Sequence, residues 1–96
     1  MNIHISEEAL TWFKDEMLVE EGEQVRFYVR YGGSSPLHDG FSLGVNKDEP
    51  VDLGEQVEIE NREFFIEERD LWFFDGHDLY VEFDEKLQEP LYEYRK

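Results

Sequence analysis

The chain contains no cysteine. That absence excludes a disulfide framework, a cysteine nucleophile, a zinc ribbon and an iron–sulfur cluster held by thiolates of this chain. Basic residues are scarce: 9 Lys+Arg stand against 25 Asp+Glu, a formal net charge of −16 at pH 7. A field of that sign repels phosphate, so no nucleic-acid partner is expected. Long apolar runs are missing too. The longest uncharged stretch, Tyr31 to His38, is too short and too polar to span a bilayer. The opening segment, Met1 to Glu8, has neither the basic nor the apolar region of a secretion signal. A cytoplasmic protein without membrane contact is the expectation. Low-complexity tracts, long linkers and repeats are absent, which leaves a single domain over residues 1–96.

What is present is aromatic. Eight Phe, five Tyr and two Trp make up 16% of the 96 residues. A chain of this length buries about 60–68% of its unfolded surface, enough for one modest core. That aromatic content argues against disorder despite the charge. The acids are spread from Glu7 to Glu93 and read as a solvated surface.

Hydrophobic spacing orders the elements. Ile3-His4-Ile5 alternates as a short strand. Ser6 then offers an N-cap, with Glu7 and Glu8 in a first helical turn where the dipole favours anions. Leu10, Phe13 and Met17 lie on one helix face, and Gly22 is the expected stop. Val25, Phe27, Val29 and Tyr31 alternate as a strand that Gly32-Gly33-Ser34-Ser35-Pro36 is expected to break. Phe41, Leu43 and Val45 make the next strand, and Asn46 to Gly54 a loop. Val57 and Ile59, then Phe64 and Ile66, form a pair about a turn at Asn61-Arg62. Glu68 to Phe74 suits a short helical turn closed by Asp75-Gly76. Leu79 to Phe83 and the segment after Pro90 supply the last strands. The pattern predicts an α+β fold: a β-rich sandwich or flattened barrel of about six or seven short strands. One longer N-terminal helix and a short second helical turn complete it.

Chemistry-bearing motifs are few. His38-Asp39 and His77-Asp78 each place an imidazole beside a carboxylate in a loop, a donor set that suits a divalent metal. The simpler reading is two ordinary loop histidines. No nucleophile elbow, dinucleotide fingerprint, P-loop or calcium loop is present. No catalytic residue is assigned, and the protein is expected not to be an enzyme. Trp72-Phe73-Phe74 is the one place where three consecutive large rings cannot all point inward. Those three residues are the candidate interaction surface.

The ordered motifs resemble the HesB/IscA-like family, the A-type carriers of iron–sulfur cluster biogenesis. Ile3-His4-Ile5-Ser6-Glu7-Glu8-Ala9 is similar to the family's opening, and Val25 to Val29 to its first long strand. Asp39-Gly40-Phe41-Ser42-Leu43 looks like its Ser-Gly-Phe segment. Phe65-Ile66, Leu71 to Gly76 and Leu79 to Phe83 resemble the strand, turn and strand that follow. The resemblance implies the HesB-like fold. It places His38 where the carriers have a cysteine, and it leaves their C-terminal Cys-x-Cys without a counterpart. The implied function is a non-enzymatic accessory protein linked to iron–sulfur biogenesis, acting through protein partners or self-association. It would hold no cluster through its own thiolates. The alternative is a metal-binding protein using His38, Asp39 and nearby carboxylates.

Overall fold

A computed structural model describes residues 1–96. Its elements are β1 (Ile3–Ile5), α1 (Glu7–Asp15), β2 (Gln24–Ser34), β3 (Asp39–Lys47), β4 (Leu53–Ile59) and β5 (Arg62–Glu67). A 3₁₀ helix follows over Glu68–Phe74, then β6 (Asp78–Asp84) and β7 (Glu89–Arg95). The seven strands form two sheets, ordered β1-β6-β7 and β3-β2-β5-β4. Hairpins β2–β3, β4–β5 and β6–β7 are antiparallel, while β1–β6 and β2–β5 are parallel. The α+β expectation holds at that level. The sheets do not close into a barrel: β3 and β7 are left as edges of different sheets.

Local chemistry explains the element ends. Ser6 caps α1, its Oγ accepting the Ala9 N–H at 3.1 Å. The helix stops at Asp15, well short of the expected Gly22. Asp15, Glu16, Glu20 and Glu21 would all have crowded its negative C-terminal end, which the macrodipole disfavours. Instead Leu18 takes a left-handed φ of 56°, and the Val19 N–H returns to the Phe13 carbonyl at 3.1 Å. The reversal drops Val19 into the core. The glycines after Tyr31 do not end β2 as expected. They carry a bulge, Gly33 at φ 66°, after which Ser34 pairs with Asp39. The turn before β5 falls on Glu60 and Asn61, both at positive φ, one residue earlier than expected.

The core is aromatic and lies between the sheets beneath α1. Phe13 from the helix meets Phe64 at 5.1 Å and Phe27 at 6.0 Å between ring centres. Leu79 and Val81 of β6 and Val25 of β2 complete it. Strand β5 is buried on both faces: Phe64 and Ile66 enter this core, while Phe65 and Glu67 alternate to the other side. Over that side runs the segment Asp48 to Asp52. Its Asp48 N–H bonds to the Gln24 carbonyl, and its Asp52 carbonyl accepts the Glu68 N–H.

Glu67 fastens the segment. Its carboxylate accepts the Val51 N–H at 2.8 Å and the Asp52 N–H at 2.7 Å. Those two donors hold its pKa below the ordinary carboxylate range. A folded-state pKa lowered in this way contributes stability that is present above about 4.5 and lost as pH falls through the folded value. The Glu67→Gln protein is therefore expected to melt below the parent at neutral pH. The gap should narrow as the pH is taken below about 4.5. Paired thermal melts across that range check it, and a gap independent of pH would refute it.

Candidate functional site

The three rings after Leu71 separate, because a 3₁₀ helix turns by about a third of a revolution per residue. Phe73 and Phe74 enter the core, edge-on to each other at 5.3 Å, and both reach Tyr94. Only Trp72 stays at the surface, 52% exposed. The expected Trp72-Phe73-Phe74 surface is thereby corrected to Trp72 and neighbours contributed by the β2–β3 hairpin. Phe41 stands edge-on to Trp72 at 5.5 Å, and Tyr31, 90% exposed, stands edge-on to Phe41 at 5.7 Å. Sequence reasoning missed Tyr31 as a surface group. Its place at the end of an alternating strand, just before the bulge, was the available signal.

His38 belongs to this cluster. Its ring lies 5.2 Å from Trp72 and 5.3 Å from Phe73, and its Nε2 is buried without a hydrogen-bond partner. Its backbone N–H donates to Ser35 Oγ at 3.1 Å, and its carbonyl accepts the Ser35 N–H at 3.2 Å. Asp39 is exposed and accepts from Ser34 Oγ at 3.3 Å. The imidazole and its neighbouring carboxylate thus serve different partners.

His77 and Asp78 are engaged elsewhere. The Nδ1 of His77 lies 2.9 Å from the Phe74 carbonyl, so that nitrogen carries the proton. The Asp78 carboxylate accepts the Asn2 N–H at 2.8 Å and ties down the start of β1. No three His, Asp or Glu side chains converge as metal ligands. A closed zinc site needs about four.

Two further carboxylates escaped the sequence reading because they sit in the acidic run Glu67-Glu68-Arg69-Asp70. Glu67 is the fastener described above. Asp70 is buried and accepts from Arg26 at 3.0 Å. Arg26 also lies 3.8 Å from Asp48.

Several other ionisable groups are engaged in ion pairs or buried. Lys14 pairs with Glu60 at 3.0 Å and Lys47 with Glu23 at 3.2 Å. Arg95 pairs with Glu93 and lies over the Tyr80 ring at 4.1 Å, with His4 stacked on the same tyrosine at 4.3 Å. Burial pushes the Tyr92 and Tyr94 phenols up, Tyr94 to about 12, so both remain neutral at ordinary pH. What the arrangement offers is an aromatic face on an acidic surface, suited to contact with another protein. No helix is long and apolar enough to cross a membrane.

Comparison with known proteins corrects the resemblance drawn from the motifs. No protein-family model matches the chain. It is 54% identical, over 99% of its own length and 100% of the relative's, to a protein of Bacillus subtilis named pyruvate dehydrogenase inhibitor. It is 38% identical to an uncharacterised protein of Staphylococcus saprophyticus, covering 96% of this chain and 97% of the relative. An uncharacterised Staphylococcus aureus protein is likewise 38% identical, over 84% of this chain and 86% of the relative.

The full-length relative is named for an inhibitor and not for iron–sulfur biogenesis. The resemblance to HesB/IscA-like proteins and the iron–sulfur-linked function it implied are thereby overturned. Each motif behind them was a few alternating apolar residues beside a turn, a pattern many α+β chains share. The chain belongs to the family of the Bacillus subtilis pyruvate dehydrogenase inhibitor.

Proposed function

We propose that this protein inhibits pyruvate dehydrogenase by binding one of its protein components. The observation that carries the reading is the 54% identity, over 99% of this chain, to the relative named for that inhibition. An inhibitor acts by occupying a surface, so no substrate turnover is required of this chain. That agrees with the non-enzymatic expectation drawn from the sequence.

The surface chemistry supports the reading. Aromatic anchors at the centre of an interface carry most of its energy, and Trp72 and Tyr31 are exposed. The excess of acids suits a partner face with the opposite charge and favours rapid encounter at low salt.

Titrating the purified protein into pyruvate dehydrogenase of the same bacterium, with pyruvate-dependent turnover as the readout, tests this. Turnover is expected to fall toward zero as the protein becomes stoichiometric with its target component. Raised salt should weaken the effect. Trp72→Ala is expected to need at least about tenfold more protein for the same inhibition, the loss of a modest anchor. Undiminished turnover at a large molar excess of the parent protein would overturn the reading.

A further inference from the structure

Between the free edges of β3 and β7 the two sheets part, and three adjoining depressions run along the opening. The first, about 550 Å³, lies between α1 and the β6–β7 turn. The second, about 370 Å³, shares Trp12 with it. The third, about 240 Å³, shares Leu43, Glu89, Pro90 and Tyr92 with the second and ends at Ser34 to Pro36. Together they form one trough that follows β7.

Its walls have two chemistries. The floor is aromatic, with Trp12 and Phe83 at one end and Tyr28 and Tyr92 further along. The rim is acidic: Glu8, Asp15, Glu16, Glu85 and Glu89. None of these five carboxylates is ion-paired, a condition they share with most of the chain's 25 acids. The one base in the lining, Arg30, donates its Nε–H to Ser42 Oγ at 2.9 Å and pairs with no carboxylate.

The flanks add a backbone requirement. An edge strand presents a row of unpaired N–H and C=O groups. Here two edges, β3 and β7, face the same opening. A compact ion would satisfy the rim and leave the edges unused. A second copy of this chain would bring another net −16 charge to an already acidic rim. An extended cationic chain meets both needs: its amides pair with an edge while its side chains reach the carboxylates and the ring faces.

We propose that this trough docks an extended, Arg- or Lys-rich segment of the partner protein, added as a strand along the β3 or β7 edge. For the identity of that partner the proposal rests on the inhibitor reading; the groove's selectivity for an extended basic chain does not.

The probe is a synthetic peptide of about nine residues alternating Arg and Val. At about 3.3 Å per residue it spans ~30 Å, comparable to the 34 Å longest dimension of the molecule. Titrated into the isotope-labelled protein, it is expected to move the backbone amide signals of β3 and β7 and the Trp12 indole signal, and to leave β4 unmoved. Glu16→Lys/Glu85→Lys is expected to weaken binding at least about tenfold. Glu21→Lys/Glu58→Lys makes the same charge change at exposed positions outside the trough and is expected to weaken it much less. Shifts scattered over the whole acidic surface, equal losses in the two double variants, or no binding at millimolar peptide would each overturn the proposal.

The same two variants are then compared with the parent as inhibitors of pyruvate dehydrogenase. Inhibition lost only with Glu16→Lys/Glu85→Lys joins the trough to the function. Inhibition retained by that variant overturns the trough as the inhibitory contact while the inhibitor reading stands. Peptide bound in the trough by a parent that does not inhibit defeats the inhibitor reading alone.

Discussion

Phe13→Ala is expected to melt at least about 12 °C below the parent protein. Phe13 is fully buried and connects α1 to both sheets, through Phe27 and Phe64 of the larger one and the core shared with Leu79 and Val81. Truncating a buried phenylalanine costs about 3–5 kcal/mol, from lost transfer energy and from the cavity left behind. For a domain of this size about 1 kcal/mol moves the midpoint by roughly 4–8 °C. The helix has only nine residues, so it depends on this docking more than on its own propensity. Calorimetry of the two proteins decides the matter. A drop of only a few degrees would mean that the aromatic cluster collapses into the vacancy.

The second large effect concerns the pair behind the β2–β5 sheet. Arg26 and Asp70 meet at 3.0 Å with side chains only 14% and 11% exposed. Arg26 Nε is also buried without a partner, so its charge is already incompletely satisfied. Asp70→Ala leaves the guanidinium with Asp48 alone, at 3.8 Å. Removing one member of a buried pair costs about 3–5 kcal/mol. The residual exposure here brings the expected loss to about 2–4 kcal/mol, with solvent screening part of the stranded charge. Arg26→Met/Asp70→Leu removes both charges and keeps the volume, and it is expected to lie within about 1 kcal/mol of the parent. Denaturant unfolding of the parent, Arg26→Met, Asp70→Leu and the double variant closes the cycle. Additive losses would show that the pair does not couple.

Much of this architecture is legible in the order of the residues. The alternations Val25-Phe27-Val29, Phe41-Leu43-Val45 and Leu79-Val81-Phe83 mark β2, β3 and β6, because apolar residues repeating at every second position put one face of a strand against a core. The short helical turn over Glu68 to Phe74, closed at Asp75-Gly76, was legible from the Asp-Gly signal. Helix α1 was read too long because Met17 kept the helical period after the chain had turned. Long-range effects were invisible. Nothing local says that the segment Asp48 to Asp52 will be held by Glu67, or that Glu67 and Asp70 will be buried while Glu68 between them is not. The candidate surface was half legible for a related reason. Trp72, Phe73 and Phe74 marked the place, yet only the 3₁₀ geometry decided which ring faces out. Family membership was least legible, since short strand motifs recur across unrelated folds.

The pairing of β1 with β6 sets the order in which this molecule can be completed during synthesis. Ile3, His4 and Ile5 lie beside Leu79, Tyr80 and Val81, across nearly the whole length of the chain. The β2–β3 and β4–β5 hairpins close over short separations and can form while the rest is still being made. The three-stranded sheet cannot. Strand β1 is made long before β6 and must wait, unpaired, until β6 has emerged. Through that interval Ile3 and Ile5 are exposed, flanked by Glu7 and Glu8, whose charge keeps one waiting chain away from the next. Glu7 and Glu8 thus set like charge beside a strand whose partner is made last, the device by which unpaired strands are kept from pairing with one another.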